Sequence, residues 1–170
     1  MSEKLASTRY VTVDELVYIN LLLTQSSGIH TIVEGKRAVR DMDLLEAAVG
    51  RPRQSVFGED AYPTLRLKAS ALLHSIARNH PFADGNKRTA TVGAIFMLQT
   101  NGQNVAWQQE QALSYILNLA EGCIDLETFA FWLPLKQCST ALVPNADVDM
   151  PIIHRILEEH HWLLHELALR

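Results

Sequence analysis

A capping residue just ahead of a helical apolar pattern recurs along this chain, at Thr12, Asp41, Thr64, Asp125 and Asp149. A Thr or Asp side chain in that place accepts hydrogen bonds from the free N–H groups of a first helical turn, so each one marks a helix start. Thr12 is followed three residues on by Glu15, the spacing of a capping box, and Val11 and Leu16 stand where a hydrophobic staple forms. The first helix is predicted to run through DELVYINLLL to about Thr24. Asp41 opens a second, DMDLLEAAV, with Gly50 as its C-terminal glycine and Pro52 as a residue that cannot continue it. Thr64 opens LRLKASALLHSIARN, where Leu65, Ala69, Leu72, Leu73 and Ile76 define one buried face. That helix must stop near Asn79, because Pro81 disfavours the α conformation at His80. A fourth helix starts around Asn86 and ends at Asn101-Gly102. A fifth covers about Gln108 to Ala120, broken by Gly122, and Asp125 caps a sixth, LETFAFWL. A last helix runs from about Pro151 to Leu169 behind Asp149. The fold class is all-α, with about six core helices and a C-terminal extension helix.

Between these elements, 26–39 reads as a polar loop with a short strand at Ile29–Val33, and 51–63 as a connector. Residues 136–150, with Ser139, Pro144 and Asn145, read as a linker. The expected organisation is one domain over 1–135, then a linker and C-terminal helix over 136–170. A chain of 170 residues supports one domain with its own core, and 48% hydrophobic with 20% charged residues is an ordinary soluble composition. A formal net charge of −4 gives no basic footprint for nucleic acid. The apolar stretches are too short to span a bilayer, and the first residues, MSEKLASTRYVT, contain no apolar signal core. No membrane partner is expected, and a cytoplasmic location follows as the default. Cys123 and Cys138 lie outside any CxxC or ligand cluster and read as free thiols of a reducing compartment.

The chemistry is concentrated in the nine residues His80-Pro81-Phe82-Ala83-Asp84-Gly85-Asn86-Lys87-Arg88. They join two apolar helices, and their second half opens the later one. Free N–H groups and the positive end of the helix dipole make such a place an anion site. Gly85 allows close backbone approach, while Lys87 and Arg88 add charge, the latter in a fork that matches phosphate oxygens. Asp84 is a hard oxygen ligand of the kind Mg²⁺ takes beside a nucleotide. His80 takes and gives protons near neutral pH. Phe82 is the one large apolar side chain and anchors the loop. On chemistry alone, a phosphate cradle and a plain capped loop with a surface Lys-Arg pair fit equally well.

HPFADGNKRTA resembles the Fic/Doc signature HxFx(D/E)GN(G/K)R. The stretches VRDMDLLEAAVGRPRQSVFGEDAYPTL, HSIARNHPFADGNKRTA and IDLETFAFWL extend the likeness to the death-on-curing branch, over about Tyr10 to Leu133. The resemblance implies the Fic/Doc helical fold, with the active-site loop between two central helices. It implies His80 as the base acting on a target hydroxyl, Asp84 as the Mg²⁺ ligand, and Gly85, Asn86 and Lys87 as the phosphate cradle. Arg88 then grips phosphate and Phe82 fixes the loop. Lys87 stands where AMP-transferring members carry glycine, and Thr91 where they carry a second arginine. The likeness is thus closer to Doc, whose family chemistry moves the γ-phosphate of ATP to a hydroxyl of a protein, a translation factor. The implied reading is a toxin-type transferase using ATP and Mg²⁺. The alternatives are Fic-type AMP transfer (protein adenylylation) and a catalytically silent antitoxin-binding module. The intact His80, Asp84, Asn86 and Arg88 weigh against the silent module.

The resemblance also makes Gln54–Phe57 a candidate flap that aligns a target chain as an added strand, with Arg53, Gln54, Ser55 and Val56 as docking residues. A solvent-facing loop is the competing reading. His154, Glu158, His161 and His165 fall on one stripe of the last helix, either a metal site or the polar edge beside Ile153, Ile156, Leu157, Leu164 and Leu167. The restraining pattern of Fic relatives, Ser/Thr-x-x-x-Glu-Gly/Asn, is absent, since Ser55-x-x-x-Glu59 is followed by Asp60. Restraint is therefore expected in trans, from an antitoxin segment that folds on binding. The apolar stripe of the last helix is an alternative docking or homodimer surface.

Overall fold

In the computed structural model, which describes residues 7–25 and 38–170, the Thr12 hydroxyl accepts from the Glu15 N–H and the Glu15 carboxylate accepts from the Thr12 N–H. Both halves of the capping box are closed, and α1 spans Val13–Thr24. The strand expected at Ile29–Val33 lies outside the described residues. Asp41 accepts from the Leu44 N–H and opens α2, Met42–Gly50. Thr64 accepts from the Leu67 N–H at the head of α3, Leu65–Asn79. α4 spans Asn86–Thr100 and α5 Gln109–Glu121, the latter ended by Gly122 at φ +80°. Asp125 accepts from the Thr128 N–H and opens α6, Leu126–Trp132.

Several sequence expectations give way here. Gly50 does not terminate α2 in a left-handed conformation. It stays helical at φ −75°, and the chain tightens into a 3₁₀ turn over Arg51–Arg53 in which Pro52 is buried. Pro52 is tolerated because it falls in the first turn, where its missing N–H has no partner to lose. The connector then forms a hairpin, β1 (Ser55–Val56) against β2 (Glu59–Asp60), closed by Phe57 and Gly58, both at positive φ. That is the backbone of a two-residue primed turn.

The linker expected over 136–150 is largely structured. β3 (Asn101–Val105) pairs antiparallel with β4 (Leu135–Thr140), with a register shift between Asn101 and Gln103. The last helix begins at Ala146, not near Pro151, with Asn145 rather than Asp149 as its cap: the Asn145 side chain accepts from the Asp147 N–H at 3.0 Å. Pro151 sits inside this helix, α7 (Ala146–Glu159). The helix also breaks at His160, and α8 (His161–Ala168) follows. The break separates His154 and Glu158 from His161 and His165. Among the described residues no three His, Cys, Asp or Glu side chains cluster to hold a metal. Cys123 and Cys138 are free thiols.

The all-α expectation holds, with eight helices and two small strand pairs among the described residues. α3 and α4 form the central pair. α4 is buried from Thr89 to Thr100, on every face, as a helix apolar all round must be. α1 approaches it so closely at Gly93 that a Cβ there would sit 2.7 Å from Leu16 Cδ2. Ile153, Ile156, Leu163, Leu164 and Leu167 of the two last helices join the same core. Most of the apolar stripe offered as an alternative docking or homodimer surface thus packs within the chain, with Leu157 partly buried.

A buried ion cluster fastens the ends of the described chain together. Arg9 Nη1 and Nη2 donate to the two Asp149 carboxylate oxygens at 3.0 and 2.7 Å, and Nη2 also reaches Glu15 at 2.8 Å. Burial raises the Asp149 pKa, but hydrogen bonds from Arg9 and the Asn145 N–H, with the Arg9 charge, outweigh it and hold the carboxyl below its ordinary range. Among the described residues no helix is long and apolar enough to cross a membrane.

Candidate active site

The nine-residue segment bridges the central helix pair. α3 ends because His80 turns into the left-handed region, φ 52° and ψ 59°, while its N–H still donates to the Ile76 carbonyl. A non-glycine residue held there costs of order 1–3 kcal/mol, so the surroundings must enforce it. Arg40 does much of this. Its Nε donates to the His80 carbonyl at 2.7 Å and its Nη2 to the Asn79 carbonyl at 2.9 Å, satisfying oxygens that a helix end leaves open. The backbone N–H groups of Arg40 and Asp41 both donate to the Pro81 carbonyl, and Ala83 N–H donates to Ala38. Val39 forms a β-bridge with Phe82, whose ring is wholly buried.

Asn86 locks the other half. Its side chain accepts from the Phe82 N–H and donates to the Phe82 carbonyl, both at 2.9 Å. The Asn86 side-chain amide is thus engaged inside the loop. What Asn86 offers outward is its backbone N–H in the first turn of α4, where no i−4 carbonyl exists, together with those of Lys87 and Arg88. Gly85 precedes them at φ +74°, and a Cβ there would meet Thr24, Arg88 and Asn20 side chains at 3.3–3.4 Å. The positive φ favours glycine, and the neighbouring side chains leave little room for a Cβ.

Asn20 and Arg88 tie the loop to α1. The wholly buried Asn20 amide donates to the Asp84 carbonyl at 2.8 Å and to the Thr89 hydroxyl at 3.0 Å. Arg88 Nη1 donates to the Leu23 carbonyl at 2.9 Å, and Nη2 lies 3.5 Å from the Asp84 carboxylate. Neither Asn20 nor Arg40 is among the predicted site residues. The signal for Asn20 is one amide amid the apolar run VYINLLL; Arg40 carries no local signal at all.

The result is an open cavity of about 210 Å³ lined by His80, Ala83 and the run Asp84–Arg88, with Leu167, Ala168 and Arg170 opposite. His80 is exposed at its edge, and among the described residues its imidazole has no hydrogen-bond partner. The Asp84 carboxylate is largely in solvent, one oxygen accepting from the Gly85 N–H. Lys87 Nζ reaches the Arg170 carbonyl at 3.4 Å. The arrangement can hold an anion at the helix start and offers a free imidazole beside it.

The candidate flap is the hairpin. Arg53 stacks on the Tyr10 ring, and Arg51 donates to Tyr62 and Ser75 and meets His74 Nδ1 at 2.7 Å. These arginines anchor the base of the hairpin rather than project freely. Burial, then the charges of Arg51 and Arg78, lower the His74 pKa, which suits an imidazole nitrogen accepting from a guanidinium. Gln54, Ser55 and Val56 are exposed, and Phe57 at the tip is fully so.

An all-α domain with a signature loop at the head of its central helix defines the class. Residues 10–98 match the model of the Fic/DOC family. The chain is also 46% identical over 98 residues to Toxin Doc of Mycolicibacterium smegmatis (strain ATCC 700084 / mc(2)155), covering 56% of this chain and 75% of that protein. The chain belongs to the Fic/Doc family, whose members are in general transferases.

Proposed function

We infer that this protein is a toxin-type transferase of the Doc kind, moving the γ-phosphate of ATP to a hydroxyl of a target protein. The observation that carries this is the His80 imidazole, without a hydrogen-bond partner among the described residues, at the rim of a cavity floored by the start of α4 and flanked by Lys87 and Arg88. The imidazole accepts the hydroxyl proton. The freed oxygen bonds to the γ-phosphorus as the bond to the β-phosphate bridge breaks, and ADP leaves with that electron pair. Such a transfer asks the protein mainly for positioning and charge neutralisation. First-turn N–H groups and Lys87 supply both.

Asp84 fits a magnesium ion that arrives with the nucleotide: one exposed carboxylate, completed by phosphate oxygens and water, is the donor set Mg²⁺ accepts. An ion held there by Asp84 would supply neutralisation of phosphate charge. Lys87, in the place of a glycine, supports γ-phosphate over AMP transfer. The exposed strand Ser55–Val56 is the proposed docking edge for the target, with Arg53 and Gln54 at its base. Restraint by an antitoxin in trans and a cytoplasmic location complete the proposal, supported by the relative's name as a toxin.

Bacterial lysate incubated with the protein and ATP labelled at the α- or the γ-phosphate tests it. Protein-bound label from the γ-position alone is expected. Label from the α-position would mean AMP transfer, and no label from either would sink both transfers.

A further inference from the structure

The cavity has a second wall that the family signature does not contain. Leu167 and Ala168, at the end of α8, and Arg170, two residues beyond it, face the loop across it. They lie beyond residues 10–98, the part that matches the family model. The wall is firmly built: Leu163, Leu164 and Leu167 are buried in the common core, and α8 packs on both α4 and α5. The Leu169 N–H donates to Glu166, the Arg170 N–H to Leu167, and Lys87 reaches across to the Arg170 carbonyl.

Among the described residues, the side chains that line the cavity include the cations of Lys87, Arg88 and Arg170 and the carboxylate of Asp84. Their donors are not equally available. Arg88 is turned toward α1, held by the Leu23 carbonyl and by Asp84. Arg170 is half-exposed, and its ion pair with Glu166 is long, at 3.6 Å. An exposed pair of that kind contributes little and is readily exchanged. A guanidinium so placed gains more from phosphate oxygens, which it can grip with two donors.

We propose that Arg170 is a phosphate-binding residue of the nucleotide site, reaching the triphosphate from the wall opposite the loop. This rests on the nucleotide reading above. It makes the site a clamp, with backbone N–H groups and Lys87 on one jaw and the Arg170 guanidinium on the other.

Calorimetric titration of the full chain with ATP and magnesium tests it, in the wild type and in the Arg170→Ala and Arg170→Lys variants. Loss of a charged hydrogen-bonding partner predicts affinity weakened roughly tenfold in Arg170→Ala, with partial recovery in Arg170→Lys. Melting temperature without ligand should be unchanged, separating phosphate contact from a merely structural role. Arg170→Ala binding as tightly as wild type overturns the inference and leaves the nucleotide reading intact. Tighter binding overturns it in favour of a wall that obstructs the site. A wild type that binds no ATP removes both readings together.

Discussion

Asn86 and Phe82 close a ring across the active-site loop: the Asn86 amide accepts from the Phe82 N–H and donates to the Phe82 carbonyl, each at 2.9 Å. The Phe82 ring is buried beneath, so one pair joins the hydrophobic anchor to the first residue of α4. Asn86→Ala removes both bonds and leaves two backbone groups unpaired. A stability loss of about 2 kcal/mol is expected, with a larger fall in transfer as the loop relaxes. Chemical denaturation beside an activity assay measures both. An equally active Asn86→Ala would show that the ring does not hold the site.

The Arg9–Asp149 pair gives stability an acidic limit. The Asp149 pKa is lowered in the folded chain, so its contribution is complete above the unfolded carboxyl pKa of about 3.9 and is lost as pH falls below it. Removing the carboxylate leaves a buried guanidinium short of a partner, so Asp149→Ala should cost about 3 kcal/mol at neutral pH. Thermal melts should show a smaller loss in the variant as pH falls from about 4 to 3.

His160 adds a second, less acidic dependence. Burial pushes its pKa down to about 4, and its Nδ1 lies 3.0 Å from the Gln109 amide. The unfolded chain takes up this proton near pH 6.5 and the folded chain only near 4, so stability falls as pH drops through that window. The loss is on the order of 3 kcal/mol by pH 4. His160→Gln should flatten melting temperature between pH 6.5 and 4.5; an unchanged slope would assign it to other groups.

Lys87→Gly opens the cradle by removing the cation nearest the Arg170 wall. Label from γ-labelled ATP should drop by roughly tenfold or more, as loss of a charge-assisted contact predicts, and some α-label should appear on protein. The two labels counted on one gel decide it, and an unchanged product would show that this position does not select the reaction.

Much of this was legible because its causes are local. Thr12, Asp41, Thr64 and Asp125 cap helices with bonds made within three residues. The active-site loop is likewise one unbroken run. What the chain concealed depends on distant partners. β3 and β4 are short and polar, β3 half-buried and β4 mostly exposed, without the alternation that marks a strand, and each exists through the other. The break at His160 has no glycine or proline to announce it, and Asn145 outcompetes Asp149 as a cap because Arg9 engages the aspartate. Asn20 and Arg40 act on the loop from 64 and 39–40 residues away in sequence, and the α8 wall from 83.

The claim that His80 is the base is tested most directly by His80→Ala, assayed for γ-label transfer beside ATP affinity and melting temperature. The imidazole has no structural partner among the described residues, so fold and ATP binding should survive. Transfer should fall at least a hundredfold, the lower end of what general-base catalysis contributes. A His80→Ala variant that transfers label at the wild-type rate would contradict the assignment.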